Sequence, residues 1–180
     1  MSKKIQKTKW FWPWQDQEEE KWLETQSQKG LHLVKPSLFG RYTFEQGEHI
    51  HYIYRLDFHS DVQKDRDAYI QIFEDTGWEY LGEKSWQYFR KAFHEGEPTE
   101  IFTDTQSKIK KYERLLGYYA GFWFILLIST TVSPIRFIDD LVPWLRLVLL
   151  YMNYTIFFIS FFVMLKLYNR IKALKKNIKE

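Results

Sequence analysis

The chain contains no cysteine. That single absence excludes disulfide staples, thiolate metal sites and cysteine nucleophiles. Glycine and proline are sparse, at 8 and 5 of 180 residues, and no stretch enriched in them marks a flexible linker. No internal repeat is visible. The opening residues MSKKIQKTKWFWPWQDQEEE hold no apolar run of signal-peptide length, so a cleaved export signal is not expected. A P-loop, a dinucleotide-binding glycine fingerprint, H-E-x-x-H, G-x-S-x-G and an EF-hand loop are all missing. No cofactor is expected.

What is present is aromatic and unevenly charged. Phe, Trp and Tyr make up 19% of the chain, more than a small soluble core uses, which points to a second apolar environment. The net charge of +3 conceals an asymmetry. Residues 1–106 hold 14 Lys/Arg against 19 Asp/Glu, and residues 107–180 hold 12 against 4. An acidic front half is a poor ligand for a phosphate backbone, so no direct nucleic-acid binding is expected. The positive excess flanks the apolar segments, where anionic lipid is the natural partner.

Two runs lack any charge: LLGYYAGFWFILLISTTVSPI, Leu115 to Ile135, and LVLLYMNYTIFFISFFVML, Leu147 to Leu165. At about 1.5 Å per residue, roughly 20 helical residues cross a hydrocarbon core. Neither run shows a polar stripe at helical spacing. Both are expected to span a membrane as a two-helix hairpin, over 115–135 and 144–166. Residues 106–114 form a juxtamembrane helix, 136–143 an external loop and 167–180 a basic tail. Lys108, Lys110, Lys111 and Arg114 precede the first span, and Lys166, Arg170, Lys172, Lys175, Lys176 and Lys179 follow the second. The positive-inside rule then places both termini in the cytoplasm of a bacterial cell. Trp144, Arg146, Lys166 and Arg170 are the expected interface anchors, in contact with membrane lipids.

Residues 1–105 read as a cytosolic α+β domain. A short strand through KWFWPW precedes a helix from Asp16 to Lys29, with Asp16-x-x-Glu19 as a capping box and Gly30 as its stop. Glu18–Glu20 reads as a favourable first-turn charge cluster. Extended pieces follow up to a turn at Gln46-Gly47, then the clearest strand, HIHYIYRLDF. A helix capped by Ser60 or Asp61, with Tyr69, Ile72, Phe73 and Thr76 on one face, ends at Gly77. Two strands then flank Gly82-Glu83-Lys84, and a last extended piece, TEIFTD, leads into a helix from about Thr105. The order β-α-β-β-α-β-β suggests a ferredoxin-like antiparallel sheet with helices on one face.

Candidate chemistry is thin. Asp75-x-Gly77-Trp78 offers a turn that forms a ligand- or partner-binding site with Trp86, Tyr88 and Arg90. The plainer reading is a helix stop followed by a core tryptophan, and it is favoured. His49 and His51 share a strand face at a spacing that suits a metal, but no third ligand is near in sequence, so no metal site is expected. Asp104-x-x-Ser107-Lys108 reads as a helix N-cap more simply than as an anion site.

The segments FWPWQDQEEEKWLETQSQKGLHL, YTFEQGEHIHYIYRLDF, YIQIFEDTGWEYLGEKSWQYFRK and EIFTDTQSKIKKYERLL together resemble the bacterial family catalogued as domain of unknown function 2812. The resemblance covers roughly residues 10–116. It implies C-terminal membrane spans and genes that lie beside PadR-type transcriptional regulators, hence a regulatory setting with a transcriptional regulator as a protein partner. It carries over no activity. The expectation is a non-enzymatic sensor, regulatory or accessory membrane protein. A transport or immunity component acting through the hairpin, and an inner-leaflet enzyme, are the alternatives.

Overall fold

The computed structural model describes residues 4–36, 40–58, 66–102, 104–131 and 143–178. The chain forms two compact units, Met1–Lys111 and Tyr112–Glu180. The first unit is α+β. In chain order it contains β1 (Lys4–Thr8), α1 (Asp16–Gln28), β2 (Leu31–Pro36), β3 (Arg41–Gln46), β4 (Tyr52–Asp57), α2 (Arg66–Glu74), β5 (Glu79–Glu83) and β6 (Gln87–Ala92). The start of α3 (Thr105–Thr131) also lies in this unit, and α4 (Pro143–Asn177) belongs to the second.

In place of one ferredoxin-like sheet, the described strands form two antiparallel three-stranded sheets, ordered β1-β3-β2 and β4-β6-β5. The two share one plan. Each is a strand–helix–strand–strand run whose last strand is central. Each has a left-handed glycine just before its second strand, Gly30 (φ 73°) and Gly77 (φ 86°). Three residues later comes a cross-strand pair with a phenylalanine on the central strand, Leu33 opposite Phe44 and Tyr80 opposite Phe89. The register shifts immediately after it, between Leu33 and Lys35 and between Tyr80 and Gly82. A bulge adds one unpaired residue and bends its strand. The unit is therefore a structural duplication that the residue identities conceal.

Several local expectations change. The KWFWPW segment is not a strand, since β1 ends at Thr8. Gln15 occupies the α1 N-cap and its side chain accepts from no helix N–H, so the Asp16–Glu19 capping box is not formed. The expected α2 caps, Ser60 and Asp61, lie outside the described residues. Ile72, assigned to the inner face of α2, is 60% exposed, because Phe73 is the residue that turns inward. Phe73 joins Ile53, Trp78 and Phe89 in a core cluster with Tyr69, Tyr80, Ile101 and Phe102 packed around it. TEIFTD forms no strand over its described residues. Asp104 does cap α3, accepting from Ser107 N at 2.7 Å.

α1 is unusual in burying a polar face: Asp16, Glu19, Glu20, Gln26 and Ser27, with Leu23. The free edge of β4 explains it. His51 O accepts from Phe93 N, so the residues two, four and six further on turn toward β6, and Tyr52, Tyr54 and Leu56 turn their amides away. Those three N–H groups donate to Ser27 Oγ (3.2 Å), Glu24 Oε1 (3.4 Å) and Glu20 Oε1 (2.9 Å). The spacing of three and four along the helix matches the spacing of two along the strand. A helix face thus stands in for a missing strand, which is one way to protect an edge.

In the second unit, α3 from Tyr112 onward runs antiparallel to α4. Arg170 lies 5.7 Å over the Tyr112 ring, Lys175 pairs with Glu113 at 2.7 Å, Trp123 stacks on Phe157 at 4.8 Å, and Asn153 Nδ2 donates to Ser129 Oγ at 2.9 Å. Leu147–Asn177 is long and apolar enough to cross a membrane, by length and composition, and few of its side chains are buried. It is the one such helix among the described residues. The first expected span is helical to Thr131, and residues 132–135 and the external loop over 136–142 lie outside the described residues. Among the expected anchors, Trp144 is exposed, Lys166 Nζ lies 5.4 Å over the Phe162 ring, and the Arg146 side chain lies outside the description.

The inward turn of Trp78 sets a stability expectation. Trp78→Ala in the detergent-solubilised chain should cost about 3–5 kcal/mol, whereas exposed Ile72→Ser should stay within about 0.5 kcal/mol. Thermal unfolding of the two variants checks it.

Candidate functional site

The residues expected to form a site do not converge. Asp75 is exposed and accepts from Gln71 Nε2 at 2.7 Å. Trp78 sits in the α2 core cluster. Trp86 is buried beside Phe58, with Lys111 Nζ 4.9 Å over its ring. Tyr88 is buried and donates to Glu19. Arg90 lines a cavity between the two sheets.

That cavity, of about 450 Å³, opens where the two bulged strands meet. Its wall includes Val34 and Leu81, the residues left unpaired by the two bulges, together with His32, Tyr52, Glu79 and Arg90. Bulges are used next to binding sites because they re-aim side chains. Here one from each half bends its strand at the seam. Arg90 is held in place by a forked pair to Glu79, Nε to Oε2 at 2.7 Å and Nη2 to Oε1 at 2.8 Å. Its third nitrogen, Nη1, donates to Leu33 O at 3.3 Å, which ties the second sheet to the first. The guanidinium lies 4.7 Å over the Tyr52 ring, and His32 meets that ring edge-on at 5.1 Å.

His32 Nε2 lies 2.7 Å from Glu48 O, so it carries the proton in the neutral ring. Nδ1 is then an acceptor, and it is buried without a hydrogen-bond partner. Glu45 and Glu48 add carboxylates to the rim, with Ile50 as its apolar contribution. The arrangement offers an aromatic–cation platform and an acidic rim. That combination suits an amphipathic guest carrying hydrogen-bond donors. The seam itself was not legible as a site, because its residues come from five separate strands. The Arg90 side chain was the one usable signal.

The α1 carboxylates are the other concentration of titratable groups. Glu19 Oε1 accepts from Tyr42 at 2.7 Å and from Tyr88 at 2.6 Å, one phenol from each sheet. Lys111 Nζ donates to Asp16 Oδ2 at 2.7 Å and to Leu56 O at 2.5 Å. Arg55 pairs with Glu24 at 2.7 Å and with Glu100 at 3.3 Å. The acidic first turn of α1 is present, and within it Glu19 and Glu20 are buried and bonded to the sheets. His49 Nδ1 meets Gln28 O at 2.9 Å and His51 lies against Phe93. Among the described residues no three His, Asp or Glu side chains are grouped to hold a metal ion.

Burial pushes the Glu20 carboxyl up to about 7, against the opposing pull of Lys111. Glu19 is raised by the same cause, offset by its two tyrosine hydrogen bonds. A carboxyl raised on folding binds its proton more tightly in the native state. The stability it contributes is full below the unfolded value near 4.5 and drains away as pH climbs toward 7. The unit should thus lose on the order of 1–3 kcal/mol between pH 5 and 8. Glu20→Gln should flatten that dependence and raise the melting temperature at pH 8. A melt series at fixed ionic strength reads both.

The family model described as protein of unknown function (DUF2812) matches residues 15–127. No curated protein and no solved structure matches the chain.

Proposed function

Since the chain belongs to the DUF2812 family, whose description assigns no activity, we propose a role from its own geometry: a membrane-anchored, non-enzymatic sensor or regulatory protein. Its α+β unit binds an amphipathic small ligand in the seam between β2 and β5. The observation that carries this reading is the pair of equivalent bulges opening one cavity over the Arg90–Tyr52 platform. The buried carboxylates of α1 support it from the other side, because hydrogen bonds to tyrosines, amides and Lys111 already occupy them in holding the fold.

Both apolar helices span the membrane as a hairpin, and the basic flanks keep the two termini in the cytoplasm. The Asn153–Ser129 bond and the Trp123–Phe157 stack hold that hairpin together, and such interhelical contacts are typical of helices associating in lipid. Occupancy of the seam is passed to a protein partner, and a transcriptional regulator is the partner class that the family resemblance suggests.

Two measurements check this. With no native cysteine, a single Leu81→Cys carrying an environment-sensitive fluorophore reports on the seam of the full chain in detergent. Amphipathic compounds bearing amino or hydroxyl donors should give a saturable shift that Arg90→Ala removes and Asp75→Ala leaves intact. A cysteine at Ile138 should react with an impermeant maleimide on intact cells, and one at Lys179 should not.

A further inference from the structure

Between β1 and α1 the chain displays tryptophans in a rigid setting. Phe11 turns inward onto Trp22 at 5.7 Å, while Trp10 and Trp12 turn outward, 59% and 39% exposed. Neither end of the segment is loose. Lys9 N donates to Gly40 O at 2.8 Å, and Gly40 (φ 67°) lies so close to Lys9 that an added Cβ would sit 2.4 Å from its carbonyl oxygen. At the far end, Trp12 N donates to the Gln15 side chain at 3.0 Å and Gln15 N returns to Trp12 O at 2.8 Å. The turn so closed contains Pro13, whose ring fixes its own φ. Trp12 and Trp14 stack across it at 5.2 Å and 7°, and Trp10 meets Trp12 edge-on at 6.0 Å.

Three indoles thus form one preorganised, partly exposed platform that the fold holds in place. Two exposed cations accompany it: Lys9, next in sequence to Trp10, with its Nζ 5.0 Å over Phe11 and 5.4 Å over Trp22, and Arg41, which pairs across the strands with Thr8. The exposed acidic residue nearest in sequence is Glu18, one turn into α1. Indoles flanked by cations match the headgroup zone of a bilayer, where an apolar ring and an N–H are both satisfied and anionic lipid meets the positive charge. The same chain carries Leu147–Asn177, a helix of membrane-spanning length, so a bilayer is the apolar phase available to it. We propose that the Trp10–Trp12–Trp14 turn is a second, interfacial membrane contact that inserts its rings among anionic phospholipid headgroups.

The test uses the full chain reconstituted into vesicles of phosphatidylcholine with phosphatidylglycerol. A fluorophore on Trp12→Cys is compared with one on Asp75→Cys, an exposed position on the turn after α2. Lipids carrying a nitroxide near the headgroup should quench the Trp12 site about twofold or more over the Asp75 site. Removing phosphatidylglycerol or adding salt should shrink that difference, as should Lys9→Gln with Arg41→Gln. Equal quenching at the two sites would overturn the proposal. So would a Trp12 signal that follows the protein-to-lipid ratio, since that would assign the platform to a second copy of the chain. Melting temperatures matching the parent's in detergent show that the labelled variants are folded.

Discussion

A buried strand edge needs hydrogen-bond partners, and β4 finds them on a helix. Its outward amides at Tyr52, Tyr54 and Leu56 are met by Ser27, Glu24 and Glu20. Its outward carbonyls are met by Ser27, Arg55 and Lys111. An unpaired buried backbone group costs about 1–3 kcal/mol, and of the six on this edge five are met by α1 and Lys111 and the sixth by the strand's own Arg55. The demand explains why α1 carries Glu and Ser where an ordinary core helix would carry Leu. It also explains why burial of those carboxylates is tolerated.

The same helix joins the two halves of the duplication. Trp22 packs on Tyr42 and Phe44 of the first sheet at 4.9 and 5.7 Å, while the polar stripe serves the edge of the second. Glu19 collects one phenol from each sheet. With the sheets fixed to a common helix, the bulged strands β2 and β5 meet without merging into one sheet, and the Arg90 bond to Leu33 O spans them. The cavity is a product of that arrangement. A single continuous sheet would have paired Val34 and Leu81 and left no seam.

How far the sequence foretold this depends on which residues carried the signal. Gly30 and Gly77 ended their helices where expected because a left-handed residue after a helix has few substitutes. The uncharged run from Leu147 declared a membrane-length helix by composition alone. The Asp104 cap was legible because its partner lies three residues away. The two-sheet architecture was hidden, since strand partners are set by contacts between distant segments, and a lone period-2 pattern does not name its neighbour. The duplication was hidden as well, because the halves share topology, glycine position and bulge but not residue identity. The burial of Glu19 and Glu20 was hidden for a related reason: their partners are tyrosines and amides 23 to 69 residues away. Of the expected site, only Arg90 reached the cavity, since Trp78, Trp86 and Tyr88 were needed for packing.

The substitution of a helix face for a strand is most directly measured by amide hydrogen exchange on the full chain. Tyr52, Tyr54 and Leu56 should exchange as slowly as the amides paired between β4 and β6, and Glu20→Ala should release Leu56 by at least about tenfold, equivalent to about 1.4 kcal/mol. Fast exchange at all three positions in the parent protein, at rates typical of an open sheet edge, would contradict the account.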